Sequence, residues 1–176
     1  MEKPMKRFKR IVKDILKPIS RMTANRESGL ETEVKFWDKW LKEQGLNWPD
    51  DYLFRTDPNS PITGWHKELV DKIAAQSVSI LDVGAGPMTI LGKKHDSKTL
   101  RITAVDPLAD EYDKLFTKYR IQPVVRTQKC EGEKLLEKFE SNSFDIVFAR
   151  NCIDHAFDPA ACILNMVEVC RAGGMI

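Results

Sequence analysis

Residues 79–88 read Ser-Ile-Leu-Asp-Val-Gly-Ala-Gly-Pro-Met, and this stretch decides the fold. An apolar strand pattern over 78–83 leads directly into a Gly84-Ala85-Gly86 turn, and the residues around 88–94 predict a helix after it. Glycine allows the backbone to approach a ligand closely, and a helix that begins after the turn would favour a negatively charged group. Taken alone, the stretch is also compatible with a tight strand–helix connection that binds nothing.

A second strand pattern, Ile-Thr-Ala-Val-Asp over 102–106, ends in a carboxylate 20 residues after Gly86. In a doubly wound sheet, Asp106 would lie beside the glycine turn and could accept hydrogen bonds from ribose hydroxyls. A lone aspartate at a strand end is often only solvated. The acid and the turn at this separation together indicate an adenosine-type cofactor.

The residues after the turn bear on which cofactor this is. A dinucleotide-binding fingerprint requires a third glycine, where this chain has Thr89. Pro87 also stiffens a loop that would have to wrap a pyrophosphate. Both residues count against NAD(P) and favour a small nucleoside cofactor without phosphates.

Strand and helix patterns alternate from residue 77 onward, with strands that are nearly continuous in apolar residues. The expected strands lie at 78–83, 101–105, 123–126 and 144–149, and the expected helices lie near 88–94, 109–119, 133–139 and 159–170. This alternation predicts an α/β fold: a doubly wound, Rossmann-like parallel sheet with helices on both faces.

The first part of the chain predicts helices rather than strands. Residues 31–44 and 65–76 have amphipathic helical patterns, and the proline-containing segment 46–64 between them predicts a structured loop. We therefore divide the chain into a basic amphipathic leader, a helical region able to form a lid, and a cofactor-binding Rossmann-like domain. These three parts span residues 1–21, 22–76 and 77–176.

The leader concentrates positive charge, with eight basic and two acidic residues in 1–21, whereas the whole chain has a net charge of only +2. Its apolar residues predict a short helix within 4–16 with one apolar stripe. Such a helix can contact an anionic membrane surface or an acidic protein. The alternatives are a mobile basic tail and a helix packed on the domain. The small overall charge argues against nucleic-acid binding.

The four cysteines do not have the spacing of metal ligands, so we expect no metal site. Reduced thiols indicate a cytoplasmic protein. The sequence also contains no apolar run of membrane-spanning length and no signal peptide.

Five segments in register resemble the motifs of class I S-adenosylmethionine-dependent methyltransferases. They are Leu-Asp-Val-Gly-Ala-Gly-Pro at 81–87, Val-Asp-Pro at 105–107, Glu-Gly-Glu-Lys-Leu at 131–135, Phe-Asp-Ile-Val-Phe-Ala-Arg-Asn-Cys-Ile-Asp-His at 144–155 and Arg-Ala-Gly-Gly at 171–174. The resemblance extends over residues 77–176 and implies S-adenosyl-L-methionine as the cofactor. It also implies that the last strands of the fold are missing, so that we expect chain 1–176 alone to be inactive.

The resemblance implies a role for each matching residue. Asp82 and the turn Gly84, Ala85 and Gly86 would meet the methionine end of the cofactor, and Asp106 would bind the ribose. Glu131 would accept from the adenine amino group, and the backbone of Gly132 would reach a ring nitrogen. Ala149 and Arg150 would offer carbonyls to the methionine ammonium. Glutamate at 131 departs from the more usual aspartate, and Ala172 replaces a proline.

His155, just past the fourth strand, is the candidate general base, because histidine titrates in the useful range. The alternative is a histidine that only hydrogen-bonds within its loop. Asn151 and Asp154 are candidate substrate contacts. Arg55 would reach the cofactor carboxylate if the N-terminal helices cover the site, and would otherwise form a surface salt bridge.

The loop around His155 and the segment around Arg55 resemble a bacterial methyltransferase subgroup with unassigned or small-molecule substrates. The sequence therefore favours a methyltransferase that acts on a small-molecule acceptor. A nicotinamide-dependent oxidoreductase and a non-catalytic module with a cofactor-binding fold remain as alternatives.

Overall fold

The structure is a computed structural model that describes residues 26–176. The leader expected at 1–21 lies outside the described residues. No helix in the described part of the chain is both long and apolar enough to cross a membrane.

The sheet has five strands, and every neighbouring pair is parallel. The strands are β1 (Ser77–Val83), β2 (Thr99–Asp106), β3 (Gln128–Lys129), β4 (Phe144–Ala149) and β5 (Cys170–Met175), in the order β3-β2-β1-β4-β5. In the register, Val83 at the end of β1 lies between Val105 and Ala149. The carboxyl ends of the three central strands therefore meet at one edge of the sheet.

Six helices accompany the sheet in the described part of the chain. They are α1 (Arg26–Lys42), α2 (Pro49–Thr56), α3 (Gly64–Lys72), α4 (Ala109–Tyr119), α5 (Leu135–Lys138) and α6 (Pro159–Val169), with 3₁₀ turns at Gly132–Lys134 and Ile153–His155. Asp158 caps α6, because its side chain accepts from the amide of Ala161 at 3.0 Å.

Alternate residues of the strands pack on opposite faces of the sheet. Leu81 and Val147 lie in a buried cluster with residues of α5 and α6, such as Leu135 and Met166. Ile80, Ile146 and Phe148 belong to a second cluster with Ile62 and Val70, the latter on α3. Helices therefore cover both faces, and the α/β fold with a parallel sheet predicted from the sequence is confirmed.

A third cluster joins the N-terminal helices to the rest of the chain. Trp40 and Leu41 of α1 are buried against Tyr112, Leu115 and Phe116 of α4. Helix α1 therefore packs on the helix that connects β2 to β3.

The helix expected near 88–94 is wrong: residues 84–98, between β1 and β2, form a non-helical connection. Its backbone groups bond to a distant segment instead of to one another. The amide of Lys93 donates to Ser60 O at 2.7 Å, and the amide of Ile62 donates to Lys94 O at 2.7 Å. Gly92 lies so close to the backbone of Pro61 that a side chain there would overlap it.

The loop expected over 46–64 is also partly wrong, because it contains helix α2. Pro49 occupies the first turn, where its missing N–H removes no hydrogen bond. Asp50 and Asp51 in the same turn favour a helix N-terminus electrostatically.

Two further boundaries differ from the expectation. The edge strand lies at Gln128–Lys129 rather than at 123–126. It is Gln128 and Lys129 that pair with the end of β2. The helix near 133–139 is a 3₁₀ turn followed by the short α5. The Arg-Ala-Gly-Gly segment at 171–174 is part of β5, whose pairing with β4 shifts register between Phe144 and Ile146.

Candidate functional site

A cavity of about 460 Å³ lies at the carboxyl ends of β1, β2 and β4. Helices α1 and α2 form another of its walls, through residues such as Glu33, Trp37 and Arg55. The cavity brings together most of the candidate residues named from the sequence. Those that line it are Arg55, Asp82, Gly84, Ala85, Gly86, Asp106, Glu131, Gly132, Arg150, Asn151 and His155.

The glycine turn is held rigidly at the edge of the sheet. Gly84 and Gly86 have φ values of +69° and +64°, in the region that favours glycine. The amides of Gly84 and Ala85 both donate to Val105 O, at 2.8 and 3.1 Å. Thr127, which the sequence reasoning missed, donates its hydroxyl to the carbonyls of Gly86 and Pro87 at 2.8 and 3.1 Å. The turn is therefore fixed before any ligand arrives.

Asp106 ends β2 directly beside this turn and is only 4% exposed. Its Oδ2 accepts from the amide of Gly86 at 3.0 Å, and its Oδ1 accepts from the amide of Leu108 at 2.9 Å. Burial raises the pKa of this carboxyl to about 6, although the two amides oppose the rise. The two amides take up part of the acceptor capacity of this carboxyl and leave the rest for a ligand.

Asp82, in β1, is a second buried carboxyl that lines the cavity. The hydroxyl of Thr89 donates to its Oδ2 at 2.6 Å and accepts in turn from the amide of Leu91 at 3.0 Å. Burial raises the pKa of Asp82 to about 7, against the lowering effects of Thr89 and Arg55. Thr89 therefore orients Asp82, a function that the sequence did not indicate.

The loop after β4 closes a further side of the cavity. Asn151 has a φ of +52°, a conformation that asparagine tolerates better than most residues. Cys152 donates its Sγ to Val83 O at 3.1 Å, and burial raises the pKa of its thiol to about 12. It is a protonated packing residue at neutral pH.

The remaining candidates in this loop differ in position. The exposed His155 lines the cavity, and its Nε2 lies 3.6 Å from Oδ2 of Asp154. Asp154 and Ala149 are not among the lining residues. The structure thus brings His155 to the cavity and leaves the Asp154 side chain beside it.

Glu131 and Gly132, which follow β3, also line the cavity. Glu131 lies 3.2 Å from Nζ of Lys134, one turn along the chain. Gly132 packs so closely on Cys162 that a side chain would overlap the sulfur. Both residues line the cavity, and their contacts with adenine stay a prediction.

Arg55 is held by protein groups on several sides. Its Nε donates to Asp51 at 2.9 Å and its Nη1 donates to Met88 O at 2.8 Å. The guanidinium also lies over the rings of Trp37 and Trp40, at 5.8 and 5.5 Å. The side chain of Arg55 is 11% exposed and that of Asp51 is 38% exposed, so the salt bridge is half-buried at the wall of the cavity.

The sequence reasoning expected the N-terminal helices over the site only through Arg55, and it missed the other residues that they bring to the cavity. Glu33, Trp37, Trp48 and Asp51 all line it. The amphipathic pattern over 31–44 predicts the helix that contains Trp37, but nothing in the sequence marks the polar residues near it as part of a cavity.

The charges of the cavity indicate which ligand it fits. Six carboxyl side chains line it, against two arginines, of which Arg55 is paired with Asp51. The glycine turn is not followed by a helix, so no helix N-terminus faces the cavity there to attract a phosphate. An acidic cavity without this anion site fits a positively charged nucleoside better than a dinucleotide with its pyrophosphate.

Comparisons with known proteins agree with this geometry. An uncharacterized methyltransferase of Schizosaccharomyces pombe is 28% identical over 112 residues, which are 60% of this chain and 40% of that protein. A solved structure from Methanococcus maripaludis, of a protein proposed to be an S-adenosyl-L-methionine-dependent methyltransferase, has the same fold. It superposes with a TM-score of 0.52 at 14% identity and covers 80% of this chain and 59% of its own.

The chain thus spans less than two thirds of the length of either relative. The family model described as "Methyltransferase domain" matches residues 81–176, which run from the end of β1 through the glycine turn, Asp106 and the loop after β4. By this match over more than half of its length, the chain belongs to the methyltransferase domain family.

Proposed function

We propose that this chain is the cofactor-binding part of an S-adenosylmethionine-dependent methyltransferase that acts on a small-molecule acceptor. The observation that carries the proposal is Asp106, a buried carboxylate that accepts from the amide of Gly86 inside an acidic cavity. One acid fixed to the glycine turn provides acceptors for a sugar while it keeps phosphates away.

When bound, the cofactor would supply a methyl group on a positively charged sulfur, and this sulfur would be the leaving group when the acceptor attacks the methyl carbon in line. The chain has to align the two reactants and exclude water. The rigid turn at 84–86 and the carboxylate of Asp106 orient the donor. Helices α1 and α2 cover one side of the cavity and limit the access of water.

An acceptor hydroxyl would also have to lose a proton as its oxygen bonds to the methyl carbon. His155 lines the cavity and would take this proton on an imidazole nitrogen. Asn151 and Arg150, on the same loop, would contact the acceptor or offer their carbonyls to the cofactor ammonium. An amine acceptor would need a base only if it binds as the ammonium ion, which has to lose a proton before its nitrogen can attack.

The competing functions are less well supported. A nicotinamide-dependent oxidoreductase needs a phosphate site at the turn, where this chain has Pro87, Thr89 and a non-helical connection. A non-catalytic module would not require an acidic cavity of this size. We further propose a cytoplasmic location, supported by four free cysteines of which three are buried.

Calorimetry of the chain with S-adenosylhomocysteine, S-adenosylmethionine and NAD tests the proposal. We expect both sulfur nucleosides to bind and NAD to bind much more weakly. Asp106→Asn should weaken the sulfur nucleosides about tenfold or more, because a charge-assisted acceptor is lost. The control is Asp110→Asn, an exposed residue that pairs with Lys129 outside the cavity.

Binding of NAD in preference to S-adenosylhomocysteine would contradict the methyltransferase assignment in favour of an oxidoreductase. Binding of neither ligand would favour the non-catalytic module. Incubation of an extract of small metabolites with methyl-labelled cofactor and the protein would then identify the acceptor.

A further inference from the structure

We propose that Glu33, on helix α1, is a second carboxylate at the sugar end of the cofactor site and accepts a hydrogen bond from a ribose hydroxyl beside Asp106. The inference rests on the proposed function. It assigns part of the cofactor site to the N-terminal helices, outside the residues 81–176 that match the family.

The position of Glu33 is fixed by its neighbour Trp37. The indole Nε1 of Trp37 donates to Oε1 of Glu33 at 3.4 Å, one helical turn away. Trp37 is itself held by edge-on contacts with Trp40 and Tyr112, with ring centroids 5.4 and 6.5 Å apart. It lies over the glycine turn, since a Cβ on Gly86 would come within 2.9 Å of its ring. Glu33 is therefore placed over the turn to which Asp106 is bonded.

The effect of Glu33 on the pKa of Asp106 also indicates that the two carboxyls are close together. Both carboxyls line the same cavity. After burial, which has the largest effect, the negative charge of Glu33 contributes to the raised pKa of Asp106. Neither residue forms a salt bridge with another residue in the described part of the chain. Two neighbouring carboxylates without a cation between them repel each other, and a ligand with hydroxyl donors would relieve that repulsion.

The hydrogen-bond capacity of Asp106 is consistent with a second acceptor. Each of its oxygens already accepts one backbone amide, from Gly86 and Leu108. A ribose presents two adjacent hydroxyl donors. A site with two carboxylates can accept both hydroxyls without displacing the amides that hold the turn.

The test measures binding of three ligands to the whole chain: S-adenosylhomocysteine and its 2′-deoxy and 3′-deoxy analogues. Glu33→Gln should weaken S-adenosylhomocysteine about tenfold, the effect of losing one charged acceptor. For the analogue that lacks the hydroxyl contacted by Glu33, the same substitution should have almost no effect. Glu31→Gln, an exposed position on the same helix outside the cavity lining, is the matched control.

Two results would overturn the inference while leaving the proposed function intact. One is unchanged binding of S-adenosylhomocysteine by Glu33→Gln when Asp106→Asn weakens it. The other is an equal loss for all three ligands, which would indicate a general effect of charge rather than a contact with a hydroxyl. If the unsubstituted chain does not bind S-adenosylhomocysteine, the proposed function fails and this inference fails with it. Far-UV circular dichroism of each variant verifies that it is folded.

Discussion

Replacing Gly84 by alanine tests how tightly the glycine turn is built. At a φ of +69°, alanine pays a left-handed strain of about 1–2 kcal/mol. The new Cβ would also overlap the Cβ of Cys152 and lie 2.6 Å from its sulfur. Moving Cys152 away adds about 1–3 kcal/mol of overpacking. We expect the free energy of unfolding to fall by about 2–5 kcal/mol in all.

Gly173→Ala is the matched control, because Gly173 has a φ of +79° and no heavy atom within 4 Å of an added Cβ. It should lose only the strain, about 1–2 kcal/mol. Urea unfolding followed by tryptophan fluorescence measures both variants. In a double-mutant cycle, Cys152→Gly should remove the excess loss of Gly84→Ala. The reasoning is refuted if Gly84→Ala is no more destabilising than Gly173→Ala, or if the cycle finds no coupling.

Three further predictions follow from the buried polar groups. Burial raises the folded-state pKa of Asp82 to about 7 and that of Asp106 to about 6, above the usual 3.8. The stability that these two carboxyls contribute is therefore present below pH 3.8 and is lost as the pH rises through 6 to 7. Asp82→Asn should therefore flatten the pH dependence of the free energy of unfolding between pH 5 and 8 by about 2 kcal/mol, and an unchanged slope in urea titrations would contradict this. Thr89→Val should lower stability by about 2 kcal/mol and weaken S-adenosylhomocysteine, since buried Asp82 loses its donor, whereas Thr89→Ser should behave like the unsubstituted chain in both assays. Thr127→Val should weaken the same ligand severalfold by freeing the carbonyls of Gly86 and Pro87, and calorimetry with Thr127→Ser, which keeps the hydroxyl, separates this effect from a general loss of packing.

The centre of the fold was predictable because its signals are local. The apolar strand before Gly84 and the strand that ends in Asp106 are each visible in a few residues. Parallel strands bring their carboxyl ends to one edge, so the acid and the turn had to be neighbours. The structure places the Asp106 carboxylate 3.0 Å from the amide of Gly86.

The connection after the turn was not predictable from local patterns. The residues around Met88 have enough apolar character for a helix, but their hydrogen bonds go to Ser60 and Ile62, about thirty residues earlier in the chain. A periodic pattern contains no information on such distant partners. Helix propensity was overridden by tertiary contacts that only the folded chain makes.

The residues other than Arg55 that the N-terminal helices bring to the cavity were hidden for a different reason. Hydrophobic periodicity identifies the buried face of α1 through Trp37 and Trp40. It does not distinguish a polar residue at the rim of that face, such as Glu33, from one in open solvent. The roles of Thr89 and Thr127 could not be predicted either, because a threonine whose hydroxyl bonds to a buried carboxyl or carbonyl has no sequence pattern of its own.

Three backbone hydrogen bonds join Ser60 and Ile62 to Lys93 and Lys94. The first pair follows helix α2, and the second lies on the connection that leaves the glycine turn. These bonds tie helix α2 to the connection after the glycine turn, so the two should move together, and α2 should not open as a separate lid. A ligand large enough to push α2 outward would also have to displace the connection after the glycine turn. The cavity should therefore resist large ligands on the side of α2.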